Sequence, residues 1–497
     1  GPGSMTTSGY PRVVKEWQRG TPLAEAKTVF EGKQEDMVIS AHRDLTPGFE
    51  RDFIFRRPTF WTIEAFYRKG EELIRLDIPE DSIPTIHREW LCLTLRSDWA
   101  VGGTTYPAGA LLAIAFDTFL QGDRQFATLF EPGEKKSLAD YSPTRNAILV
   151  NELDNVRNRL YILTPPSAGG KTWSRAPLPG IPDQITASVS AVDALVSDDF
   201  FLHLDGYLTP PAFAMGTISS GTHEILKHGP SFFQADGLHV TQHEATSADG
   251  TQIPYFQVAK KDLQLDGSNP TLLYGYGGFE IPLVPGYNAL AGAAWLEKGG
   301  VYVVANIRGG GEFGPQWHQA ALKANRFKAY DDFIAVVEAL IERKVTSTPH
   351  LGIMGGSNGG LLMGNMLTRR PDLFGAIVCA VPLLDMKRYH TLLAGASWMA
   401  EYGNPDIPEE WAFIQTFSPY HNVKKDETYP PILFTTSTRD DRVHPGHARK
   451  MVAKMKDQGH DVTYYENIEG GHGGAANNEQ RAFMSTLQYR FLWEKLR

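Results

Sequence analysis

Cysteine is nearly absent from this chain: Cys92 and Cys379 are the only two in 497 residues. That excludes a disulfide framework. Each sits in an apolar run, so the expectation is a pair of buried free thiols, which suits a reducing compartment. Long hydrophobic runs are also missing. The longest mostly apolar one, FGAIVCAVPLL at 374–384, is too short to cross a bilayer and reads as a buried strand. There is no block of basic residues, and the formal net charge is −9. Neither nucleic acid nor a membrane surface is an expected partner. No set of His, Cys and carboxylates has metal-ligand spacing. The glycine-rich RGGGEFG at 308–314 lacks the lysine of a phosphate loop. No metal or other cofactor is expected. No signal peptide opens the chain; the expected compartment is the cytoplasm, or the periplasm if a native N-terminal segment is absent from the sequence.

What is present is a globular composition, 42% hydrophobic and 21% charged, in a chain longer than one ordinary domain. Two halves follow different rules. Residues 1–237 carry short strand-like runs: ERDFIFRR (50–57), FWTIEAFYR (60–68), EWLCLTLR (89–96), LLAIAFDTFL (111–120), NAILVNEL (146–153) and RLYILTPP (159–166). Turn clusters such as RSDWAVGG and PPSAGGK break them. Many short strands with regular turns imply a sandwich, a barrel or a propeller. Residues 238–497 alternate instead. Apolar strands at TLLYGYGG (271–278), GVYVVANIRG (300–309), HLGIMGG (350–356), GAIVCAV (375–381), PPILFTTST (430–438) and DVTYYENI (461–468) are separated by helical stretches, the last from about 478. That alternation implies a mostly parallel sheet covered on both faces.

Within the second half stands GIMGGSNGGLLMG at 352–364. Gly355, Ser357 and Gly359 form G-x-S-x-G between a strand and a helix, the pattern of a nucleophile elbow. The turn lifts the serine hydroxyl out of the sheet, and the amide of Asn358 faces a developing oxyanion at the positive end of the helix. A serine needs a base and an orienting acid, which follow it in that chain order reversed: acid, then histidine. TSTRDDRVHPGH and NIEGGHGG follow the next strands. His472 is the expected base. Asp440 and Asp441 are adjacent, and spacing does not separate them: one orients His472, the other satisfies loop amides. His444 and His447 fall too early for the base and are expected to flank the pocket.

YGYGGF (274–279), NIRGGGEFG (306–314), GGSNGG (355–360), RPDLFGAIV (370–378), SWMAEYG (397–403), DDRV (440–443) and GGHGG (470–474) together resemble the prolyl oligopeptidases, the S9 serine peptidases. The resemblance spans the second half in order and is weaker in the first. It implies an α/β-hydrolase domain capped by a β-propeller, with short peptides cleaved after proline. It assigns Ser357 as nucleophile, Asp440 as acid and His472 as base. Tyr276 would donate to the oxyanion beside the Asn358 amide. Phe279, Trp398, Tyr402 and Val443 would line a slot for the proline ring, and Arg442 would bind a substrate carbonyl. A flat apolar ring is recognised by stacking and area burial, so an aromatic slot fits it. Leu383 stands where the family often has valine, preceded by an unusual Pro382, and both change the expected pocket floor. The RGGGEFG loop is expected to shape the floor of the cleft.

The family's chains are longer at the N-terminus. About five blades are expected in 1–237, at roughly 45 residues each, so the propeller reads as partial. A missing N-terminal segment of the same protein is the expected completing partner. The rival readings are an oligopeptidase for basic residues, an acylaminoacyl-peptidase or an esterase with the same triad, and a propeller that binds without catalysis.

Overall fold

The computed structural model describes residues 3–167, 172–182 and 185–497. Residues 168–171 of the PPSAGGK turn cluster, and the first two of the GPGS opening, lie outside the described residues. The first half builds four four-stranded antiparallel meanders in chain order. They run from Val38 to Arg75, Ile83 to Phe130, Lys136 to Pro177, and Thr186 to His228. A two-stranded ribbon, Val13–Glu16 with Lys27–Glu31, precedes them.

Strand periodicity explains how these sheets stack. Successive side chains point to opposite faces, so a strand with both faces apolar has a neighbour on each side. Leu91 and Leu93 pack with Phe53 and Ala65 of the first meander. Cys92, between them, packs with Ile148 and Val150 of the third. Leu149 packs in turn with Ala187 and Phe200 of the fourth. Small sheets stacked face to face in chain order are the blades of a propeller.

Two stretches read as strand are not. Phe116–Leu120 is a short helix closing the LLAIA strand, because Phe116 and Phe119 bury together on one side of a turn rather than alternating. Phe60 and Trp61 lie in the loop before the strand Glu64–Lys69. Their rings pack outward, onto the second half.

The second half carries one eight-stranded sheet. Its strands are β1 (Leu238–Thr246), β2 (Gln252–Lys260), β3 (Thr271–Tyr274), β4 (Val301–Ala305), β5 (Leu351–Gly356), β6 (Ala376–Ala380), β7 (Ile432–Ser437) and β8 (Val462–Asn467). The order is β1-β2-β4-β3-β5-β6-β7-β8. All pairings from β4 to β8 are parallel, and β2 is antiparallel to both neighbours. The four longest helices are α1 (Phe327–Glu342), α2 (Asn358–Arg369), α3 (Gly446–Asp457) and α4 (Asn478–Leu496). On β6, Ile377 and Cys379 face the core under α1, α2 and α3, while Ala376 and Val378 face the one under α4. Each fully buried aliphatic side chain contributes about 1.5–3 kcal/mol. Parallel strands place the loops after β3, β5, β7 and β8 at one sheet edge, where open α/β folds bind ligands. Among the described residues no helix is long and apolar enough to cross a membrane.

Candidate active site

Ser357 sits between β5 and α2 with φ 60° and ψ −118°, a left-handed conformation that a serine adopts only under constraint. Its amide donates to the carbonyl of Ala380 at 2.9 Å, which ties the turn to β6. A side chain at position 355 would place Cβ 2.6 Å from the carbonyl oxygen of Gly359, so the turn closes only on glycine. The first-turn amides of α2, beginning with Asn358, lack intrahelical acceptors and carry the positive end of the helix dipole.

Asp440 and His472 leave the sheet after β7 and β8. The His472 ring meets Asp440 through Nδ1 and Oδ2 at 2.8 Å. The other carboxylate oxygen of Asp440 accepts from the amides of Arg442 and Val443, each at 2.9 Å. Asp441 accepts the backbone amide of His472 at 3.1 Å. The adjacent aspartates thus divide ring and backbone of one histidine, and the ring belongs to Asp440. Ser437 Oγ donates to the carbonyls of Gly470 and Gly471, and Asn467 Nδ2 to that of Gly474 at 2.9 Å, pinning the histidine loop at both ends. Among the described residues no hydrogen bond joins the Ser357 hydroxyl to His472. An imidazole held by a buried carboxylate, at the same sheet edge as an elbow serine, is equipped for acyl transfer.

Tyr276 lies two residues beyond β3, the sheet neighbour of β5. Burial pushes its phenol up to about 12, with Arg442 and Arg326 opposing the shift, so the hydroxyl stays a donor at neutral pH. The Tyr276 carbonyl accepts from Asn358 Nδ2 at 2.7 Å. Asn358 Oδ1 accepts from Arg326 Nη2 at 2.5 Å and from the Tyr402 hydroxyl at 2.7 Å. The side chain of the residue after the serine is therefore held by three partners.

Leu383, Trp398, Tyr402 and Val443 are buried in one cluster, with Phe279 packed against it. The rings of Phe279 and Tyr402 meet edge to face, 5.7 Å apart. Arg442 is exposed, and among the described residues its guanidinium makes no ion pair. His447 differs from expectation. It is enclosed in the core, where its Nδ1 accepts the amides of Leu384 and Asp385 at 3.2 and 3.1 Å, and burial holds it neutral, down to about 4. His444 accepts the Gly446 amide at 3.0 Å.

The sequence reading assigned no role to Glu401, His318, Arg326 or Arg96. His318 Nε2 meets Glu401 Oε2 at 2.8 Å, and Glu401 Oε1 accepts from Arg326 at 3.2 Å and from the Phe279 amide at 3.0 Å. A buried charge must be paired, but only the fold shows that Glu401, inside SWMAEYG, is buried.

The prolyl oligopeptidase family model matches residues 288–497. An uncharacterized peptidase of Sinorhizobium fredii is 45% identical over all of this chain, which spans 69% of that protein. A prolyl endopeptidase of Elizabethkingia miricola is 40% identical over 57% of this chain and 40% of its own length. The solved structure of a post-proline cleaving enzyme from Rickettsia typhi superposes with a TM-score of 0.93 at 33% identity, over 99% of this chain and 72% of that one.

Proposed function

This chain belongs to the prolyl oligopeptidase family of serine peptidases, and on that premise we propose that it hydrolyses short peptides on the carboxyl side of proline through an acyl-enzyme on Ser357. The observation that carries the catalytic part is the 2.8 Å bond between Asp440 and the His472 ring, at the same sheet edge as the elbow serine.

Asp440 accepts the Nδ1 proton and leaves Nε2 of His472 as the base. The reaction needs that nitrogen within hydrogen-bond reach of Ser357 Oγ, a contact that tightens when substrate is bound. His472 takes the hydroxyl proton as Oγ attacks the carbonyl carbon. The oxyanion is held by the Tyr276 hydroxyl and the Asn358 amide. The bond to the leaving nitrogen breaks as His472 returns the proton to it. Water, deprotonated by the same imidazole, then releases the acid and restores the serine.

Proline preference is supported by the aromatic set of Phe279, Trp398 and Tyr402 in one cluster, and by the Rickettsia typhi relative, whose reported activity is post-proline cleavage. Arg442, exposed and with no ion pair among the described residues, suits a substrate carbonyl. A panel of peptide amides varied only at the residue before the scissile bond tests the specificity. Proline should give the highest kcat/KM. A maximum at arginine or lysine would instead place the chain with the oligopeptidases for basic residues.

A further inference from the structure

A row of buried polar groups runs from the β half to Asn358. Arg96, two residues beyond the strand Trp90–Thr94, reaches across to the second half. Its Nη1 is paired with the Glu280 carboxylate, and its Nη2 lies 3.0 Å from His318 Nδ1. Its guanidinium stacks on Trp61 at 3.8 Å, and the Trp61 ring lies 4.5 Å from that of His318. An arginine can only donate, so His318 Nδ1 accepts, and the ring proton sits on Nε2, where it is donated to Glu401. Burial favours this neutral form. Glu401 then holds Arg326 and the Phe279 amide, and Arg326 holds Asn358.

This row grips a strained turn. Phe279 and Glu280 are consecutive non-glycine residues with φ 56° each. Such backbone persists only where its surroundings impose it. Here the Phe279 amide is fixed by Glu401, the Glu280 amide by the carbonyl of Gly309 at 3.1 Å, and the Glu280 carboxylate by Arg96. The turn follows Tyr276 after Gly277 and Gly278, and Phe60 of the first half closes on the Phe279 ring at 5.4 Å.

We propose that Arg96 is a positioning residue for the catalytic site: by seating Glu280 and His318 it holds the strained Phe279–Glu280 turn and, through Glu401 and Arg326, the Asn358 side chain. Correct docking of the two halves is thereby a condition for a correctly placed oxyanion hole. The proposal rests on the roles given above to Ser357, Tyr276 and Asn358, and it makes the propeller a contributor to turnover as well as a wall.

The test uses the full chain with a Gly-Pro fluorogenic amide. Arg96→Met should lower kcat by about tenfold to 10²-fold, the usual cost of a small misplacement of catalytic groups, with KM changed far less. Arg96→Lys keeps the charge but not the fork, so it should recover only part of the loss. It also carries the test if the methionine variant does not fold. Because Arg96 and Arg326 act on one row, Arg96→Met combined with Arg326→Met should cost no more than the worse single change. Unchanged kcat in a folded Arg96 variant, a rise in KM alone, full recovery by lysine, or strict additivity with Arg326→Met would each overturn the proposal. Failure of the underlying reading looks different: the unaltered chain would not turn the amide over, or Ser357→Ala would.

Discussion

Asp440 uses one oxygen for the His472 ring and the other for two amides of its own loop. Spacing could not separate it from Asp441, because adjacent residues in a loop differ in direction, and direction is set by which amides come near. The assignment to Asp440 came from resemblance, and the geometry supplies its reason. The rest of the proposed triad was legible because glycine spacing and strand order are written in sequence. The buried row through His318, Glu401 and Arg326 was not, since its members are far apart in the chain and meet only when the sheet forms. At Tyr276 the expectation is specific. Tyr276→Phe removes one hydroxyl and leaves the ring packing, so kcat should fall by about 10²–10³, as for loss of one oxyanion donor. Steady-state kinetics of the variant checks it. An unaltered kcat would remove the hydroxyl from the mechanism.

Among the elements, helices and parallel strands were read nearly in place: α4 begins at Asn478 as expected, and α1, Phe327–Glu342, lies between β4 and β5, where strand–helix alternation calls for a helix. The misread segments, 60–63 and 116–120, are aromatic, and aromatics suit strands, helix faces and docking loops alike. The RGGGEFG loop shows what composition alone could not. Glu312 is fully buried there, with Oε1 accepting from the Leu283 amide at 2.9 Å and from Asn306 Nδ2 at 3.2 Å. Its backbone carbonyl accepts from Ser137 Oγ of the first half at 2.8 Å. Burial raises the carboxyl from 4.5 to about 7. Between those values the folded chain keeps a proton that the unfolded chain has released, so this group makes stability fall as pH rises through that window. Glu312→Gln should abolish the loss, a gain of up to about 3 kcal/mol above the window and little below it. Thermal unfolding of both proteins on either side of the window measures it. A pH-independent difference would contradict the protonation argument.

For the whole molecule, the two halves were separable in sequence because strand periodicity gives way to strand–helix alternation, and the eight-stranded sheet starts at Leu238. The blades were harder to delimit. Four meanders and two two-stranded ribbons make up the described sheets of the first half, yet their turns carry no repeat sharp enough to count without coordinates. How the halves meet, through Arg96, Phe60 and Ser137, could not be read at all, since such contacts depend on the relative placement of two finished folds. The account of the molecule rests on one reactive serine at the sheet edge beneath the propeller. The most direct measurement is reaction with a fluorophosphonate followed by peptide mass mapping. A single adduct on Ser357, lost when His472 is replaced by alanine, is the predicted result. Labelling at another residue, or none in protein that cleaves a Gly-Pro amide, would contradict the account.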